Sequence, residues 1–355
     1  PILVLDSPAR EVFVGEPVLR PLGWMPDQRL EEAARRGTAS LSESADIVAG
    51  VAVDEVADEP TDRLEEDCAM VSASSGDVTV SEKKESVEAA VRAMVVGRAV
   101  GEGLDASLAQ KLLRELLRMD VWRTELGPDP PARAPPFRVA LRPGAKIFKA
   151  KARKQSELQR ESLQQELTHL VELGLMRVNP QARWGSAGMH LPKPGGRGMR
   201  LVVDLRGVNT RTEPLSWPLP DREQQEQSMR GKSCFAVVDL LKGFWQVELD
   251  PVCAEWYTIV TDFGCFTPTR MPMGATDAAQ YFQYCVTQTL GDCIGRSAQL
   301  WIDDILGYSN NQAQHGDNLV EALKRLGQAG WKADPRKAPL FSSRVRWCGK
   351  LYSSG

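Results

Sequence analysis

No two of the seven cysteines stand in Cys-x-x-Cys spacing. That removes the usual signature of a structural zinc site, and scattered thiols do not make a secreted disulfide framework. No apolar run reaches the ~18 residues that a membrane-spanning helix needs. The chain opens at Pro1 with no signal-peptide pattern. It reads as a piece of a longer product, intracellular (cytoplasm or nucleus), not secreted and touching no membrane. Aromatic residues are few, 6% overall, and residues 28–90 contain none. A stretch of that kind, rich in Ser, Ala and Glu, buries too little apolar surface to offset its ordering entropy. It is expected to be a mostly disordered linker that admits short helices.

What is present is enough for two or more domains: 355 residues, 42% of them hydrophobic. The net charge of −3 conceals an asymmetry. Residues 31–90 hold 16 acidic against 5 basic side chains, a net of −11, so the remainder carries +8. That balance suits a nucleic-acid partner for the C-terminal part. Leu108, Leu112, Leu116 and Met119 fall on one face of a helix predicted over 105–119. A proline-rich connector follows, then a strand and turn over 138–145. Ser156 and Gln159 form a capping box for a long helix with Leu163, Leu167, Leu170 and Val171 on its buried face and Gly174 at its C-terminal cap. Lys149, Lys151, Arg153 and Lys154 precede it, as solvated charge or as contacts to backbone phosphate. Met189–Leu191 and Met199–Val203 read as a hairpin around the glycine-rich residues 194–198.

Two stretches carry the chemistry. Leu300-Trp301-Ile302-Asp303-Asp304-Ile305-Leu306 places adjacent carboxylates inside an apolar run of β propensity. A buried unpaired Asp is costly, so the run reads either as a surface turn or as a strand-turn-strand that presents carboxylates to a divalent metal. Cys234–Val238 is a short apolar strand ending at Asp239. An Asp at one strand end and an Asp-Asp turn from another segment make the smallest ligand set for a two-metal phosphoryl-transfer site.

The segments 233–249, 263–283, 299–309 and 331–352 occur in the order of reverse transcriptase motifs. The chain resembles, over about 126–355, the polyprotein of Gypsy-type long-terminal-repeat retrotransposons. The resemblance implies an α/β (α+β) right-hand polymerase of fingers and palm with a truncated thumb. Residues 1–27, where Gly15–Gly23 resembles the end of a retroviral-type aspartic protease, would be the remnant of an aspartic-protease-like tail or else an ordinary short strand and turn. Its nearest catalytic string, Asp6-Ser7-Pro8, has Pro8 where a protease needs Gly, so no proteolysis is expected. Residues 28–125 would be an acidic linker with the helix near 105–119.

The implied activity is RNA-directed DNA polymerisation, a nucleotidyl transfer using Mg2+ or Mn2+, dNTPs and an RNA/DNA template–primer duplex. The oligomeric state is open. Asp239, Asp303 and the backbone carbonyl of Leu240 would ligate metal. Asp304 would support them, and Lys337 would be the general acid at the leaving pyrophosphate. Lys193, Arg200, Met273 and Gly274 would hold the nucleotide, with Phe244 as the gate against a ribose 2′-OH. Arg206, Gln283, Trp301, Ile302, Cys348 and Gly349 would contact template or primer. Departures from the family pattern stand at Trp301 (usually Tyr), Asp277 (Asn or Ser), Ala279 (Pro) and Met273 (Gln or Phe). They motivate an alternative: an inactive or co-opted element copy that binds nucleic acid without catalysis.

Overall fold

The computed structural model describes residues 2–5, 12–15, 80–193, 198–215, 217–218 and 220–353. Most of the protease-like tail, the linker through residue 79 and the hairpin tip 194–197 lie outside the described residues. Two compact units divide the chain at Thr61 and Asp62. In the first, β1 (Ile2–Leu5) pairs antiparallel with β2 (Val12–Gly15).

The first described element of the second unit is a helix. α1 (Val80–Arg92) continues as a π-helical stretch, Ala93–Ala99, inside what reads as linker. Val91, Met94, Val95 and Ala99 are buried, so tertiary packing overrides the polar character of the surrounding sequence. α2 (Ala106–Leu116) starts on Asp105, whose carboxylate accepts from the amides of Ser107 and Leu108. Leu112, Leu113 and Leu116 join the same core as the palm strands. The segment 138–145 is not a regular strand. It is an extended run with isolated bridges, Phe137 to Leu249 and Leu141 to Thr212.

α3 (Glu157–Glu172) carries the reciprocal Ser156–Gln159 capping box and buries Leu163, Leu167 and Leu170. Gly174 ends it at φ +70°, the left-handed region open to glycine. α3 rests on a five-stranded sheet ordered β3 (Met176–Val178), β8 (Gly264–Pro268), β7 (Ile259–Thr261), β4 (Ser186–Pro192), β5 (Met199–Val203). The parallel β4–β7 pair joins the hairpin of β4 and β5 to that of β7 and β8 in one sheet. Beyond it lie α4 (Arg222–Met229) and β6 (Cys234–Asp239), then α5 (Ala278–Leu290), β9 (Ala298–Trp301), β10 (Asp304–Ser309) and α6 (Gln312–Gln328). β6, β10 and β9 form a three-stranded antiparallel palm sheet in that order. The hairpin β11 (Arg344–Trp347), β12 (Lys350–Ser353) packs on that sheet through Val345 and Trp347. Among the described residues no helix is long and apolar enough to cross a membrane.

Candidate active site

The palm sheet brings the acidic residues together by register. Asp239, the last residue of β6, lies directly opposite Asp304, the first of β10. Cross-strand partners share one face of a sheet, and like charges there repel. Asp303 sits in the two-residue turn between β9 and β10, and Trp301 pairs with Asp304 across it. Ile302, the first residue of that turn, has φ +56°, a conformation that β-branched residues rarely adopt. Strain of about 1–3 kcal/mol is held this way at functional turns.

Gln283 holds the turn. Its amide nitrogen donates to the Leu300 carbonyl at 3.1 Å, and its oxygen accepts from the Ile302 amide at 2.6 Å. A second donor, Gln225 of α4, reaches the same Leu300 carbonyl at 3.0 Å. Gln283 is 2% exposed. Gln283, which the sequence reading placed among the template or primer contacts, has both ends of its amide on this turn. Gln283→Leu leaves the Ile302 amide without its partner, at ~1–3 kcal/mol for a buried group. We expect that loss in urea unfolding, with nucleotide incorporation reduced ~10-fold as the turn shifts. Unchanged unfolding would remove Gln283 as the support.

Asp239 is three-quarters buried. Burial pushes its carboxyl pKa up, and Asp303 and Asp334 add to the rise, against the pull of the Lys337 ammonium. Lys337 Nζ stands 3.5 Å from Asp239 Oδ2. The opposed carboxylates and the Asp303 turn offer hard oxygen ligands, the donor type that suits Mg2+ or Mn2+. Leu240, with an apolar and buried side chain, has only its backbone carbonyl to offer as an oxygen donor. Another group, Asp292, Cys293 and Glu321, has ligand atoms within 4.8 Å of one another. Its carboxylates are taken by Arg296 and Arg325, so an ion-pair network explains it.

The remaining predicted residues distribute around this centre. Phe244 is half-buried, its ring centroid 5.3 Å from that of Phe282. Gly274 has φ +89°, and its carbonyl accepts from Asn209 Nδ2 at 2.9 Å. Asn209 Oδ1 accepts from the Thr276 amide, so Asn209 pins the loop that carries Met273, which is 69% exposed. Arg206 forks onto Asp204 at 2.8 Å twice and holds that carboxyl down to about 2. Lys193 and Arg200 are exposed on the β4–β5 hairpin. Cys348 (φ +48°) and Gly349 (φ +75°) form the turn of β11–β12. Trp347 Nε1 donates to the Asp304 carbonyl at 3.3 Å, tying that hairpin to the acidic strand. The unusual Asp277 is buried and accepts from the Leu215 amide at 2.8 Å; burial raises its pKa.

Sequence reasoning missed Asp334, 1% exposed, whose amide donates to the Asp239 carbonyl at 3.1 Å. The Asp-Pro-Arg string was its signal, since Asp before Pro opens a turn and caps it.

Residues 191–350 match the family described as Reverse transcriptase (RNA-dependent DNA polymerase). The Enzymatic polyprotein of Cauliflower mosaic virus (strain NY8153) is 25% identical over 219 residues, 61% of this chain and 32% of that protein. The Retrovirus-related Pol polyprotein from transposon opus of Drosophila melanogaster is 29% identical over 164 residues, 46% of this chain and 16% of that protein. The chain thus spans about a third or less of these relatives. Among solved structures, the foamy viral protease-reverse transcriptase in complex with RNA/DNA hybrid superposes with a TM-score of 0.66 at 18% identity, covering 78% of this chain and 36% of that one. The complex of the same protein with dsDNA gives 0.63, at 18% identity, 78% and 55%. The fold is that of the reverse transcriptase polymerase structures.

Proposed function

We propose that this chain supplies the fingers and palm of an RNA-directed DNA polymerase from a Gypsy-type long-terminal-repeat retrotransposon, acting inside the cell. One observation carries the reading: Asp239 and Asp304 oppose each other across β6 and β10, with Asp303 in the adjoining turn and Lys337 3.5 Å from Asp239. Like carboxylates directly opposed are unfavourable without a cation, and the donor set suits Mg2+, with Mn2+ as a substitute. Bound there by Asp239, Asp303 and the Leu240 carbonyl, two such ions would lower the pKa of a primer 3′-OH and neutralise leaving pyrophosphate.

The protein's own residues position the reactants. The primer 3′-oxygen attacks the α-phosphorus of a dNTP, and its proton passes to solvent. The bond from the α-phosphorus to the bridging oxygen breaks, and pyrophosphate leaves with a proton from Lys337. Lys193 and Arg200 bind the triphosphate, and Met273 and Gly274 border the nucleotide. Arg206 contacts template RNA or DNA, while Trp301, Ile302, Cys348 and Gly349 line the primer end.

Incorporation of dNTPs on a primed RNA template, with Mg2+ and then with EDTA, tests the reading. Extension that EDTA abolishes is the expected result. Duplex binding without extension would overturn it in favour of the inert nucleic-acid binder.

A further inference from the structure

The lysine segment is held from an unexpected direction. Ala333 pairs on two sides. On one it faces Leu240, with the Leu241 amide donating to Lys332 and the Asp334 amide to Asp239 at 3.1 Å. On the other it faces Trp122, with the Ala333 amide donating to Val121 at 2.7 Å and the Arg123 amide to Ala333 at 3.0 Å. Residues 121–123 therefore lie one extended segment away from the acidic strand. Lys332 Nζ donates to the Asp120 carbonyl and carboxylate, both at 2.7 Å.

At the end of this ladder stands Asp334, a carboxylate with a 2% exposed side chain. Its charge is met by Arg336. The guanidinium forks onto it with Nε to Oδ1 at 3.0 Å and Nη2 to Oδ2 at 2.9 Å, and the Arg336 amide donates to Oδ1 at 2.9 Å. Arg336 Nη2 also donates to the Thr124 carbonyl. Arg98, from the π-helical stretch, donates to the Arg336 carbonyl at 3.4 Å. The next residue is Lys337. Its amide donates to the Asp334 carbonyl and its ammonium faces Asp239. A bidentate Arg–carboxylate pair fixes angle as well as distance.

We propose that Arg336 is a positioning residue for the reacting centre, held by the segment 98–124 and acting through Asp334 to set Lys337 against Asp239. This rests on the polymerase reading of Lys337. The N-terminal segment is then a working part of the polymerase, not a tether.

The test is steady-state extension by the full chain with R336A, R336K, K337A and the R336A/K337A double variant. A residue that acts only through another is non-additive with it. The expected result is kcat reduced ~10-fold in R336A with dNTP KM and duplex affinity within about twofold of wild type. R336K, which cannot fork, should recover only part, and the double variant should match K337A. Wild-type kcat in R336A overturns the proposal. So do losses in the double variant that multiply, or a fall in kcat that merely follows a fall in melting temperature. A wild-type chain that extends nothing overturns the polymerase reading itself, and this proposal with it. Extension by the wild type with R336A unaffected removes this proposal alone.

Discussion

Replacing Asp239 with Asn is expected to cut nucleotide incorporation by at least ~10³-fold and, in the same variant, to raise the melting temperature of the metal-free protein. The first effect follows from the position of Asp239 opposite Asp304, where a carbonyl amide is a poor substitute for an ionised ligand. The second follows from burial, which raises the Asp239 pKa above its ordinary 3.8 despite Lys337. The folded protein then binds this proton more tightly than the unfolded chain. Stability falls as pH rises from about 3.8 through the raised value, and above it the full cost of the buried charge persists. Asn carries no such cost. A gain of ~1 kcal/mol would move the melting point by roughly 1–2 °C in a chain of this size. Thermal unfolding in EDTA at pH 7 and at pH 4 checks this, and the difference should shrink at pH 4. An Asn variant that melts lower would mean that the Lys337 pairing outweighs burial. One that extends primers normally would remove Asp239 from the reaction.

Phe244→Ala should relax sugar selection, raising the kcat/KM of a ribonucleotide relative to its deoxy counterpart by ~10²-fold. A steric wall works only if it cannot retreat. Phe244 stacks on Phe282, which is fully buried and meets Trp331 edge-on at 5.4 Å. Behind the wall there is no slack: a Cβ on Gly243 would lie 2.5 Å from Phe282 Cζ. Competition between paired ribo- and deoxynucleotides on one template measures the ratio. An unchanged ratio together with lost stability would make Phe244 a core aromatic and nothing more.

Local signals in the sequence were strong where side chain and backbone agreed. The Ser156–Gln159 box, the Gly174 cap and the strand-turn-strand around Asp303 were readable because each rests on short-range chemistry. The helix over 80–99 was not, since its buried stripe of Val91, Met94, Val95 and Ala99 is interrupted by polar residues and acquires meaning only from partners far along the chain. The support that Gln283 gives the turn was not legible for a related reason. A polar residue beside Phe282 looks outward until the carbonyl and amide it serves, Leu300 and Ile302, are brought beneath it. Asp334 and Arg336 carry no periodic signal, and their contacts to Asp239 and Thr124 are purely tertiary.

The packing of the N-terminal helices against α6 and the segment after it also sets a timetable. The Asp105 amide bonds to Gln312, 207 residues later. At a synthesis rate of ~5–20 residues per second, roughly 10–40 s separate the emergence of these partners. Throughout that interval the packing of α1 and α2 on α6 and the segment after it cannot form. The pairing of α2 with α6 therefore waits until β6 and β10, the two strands that carry the opposed carboxylates, have both been made.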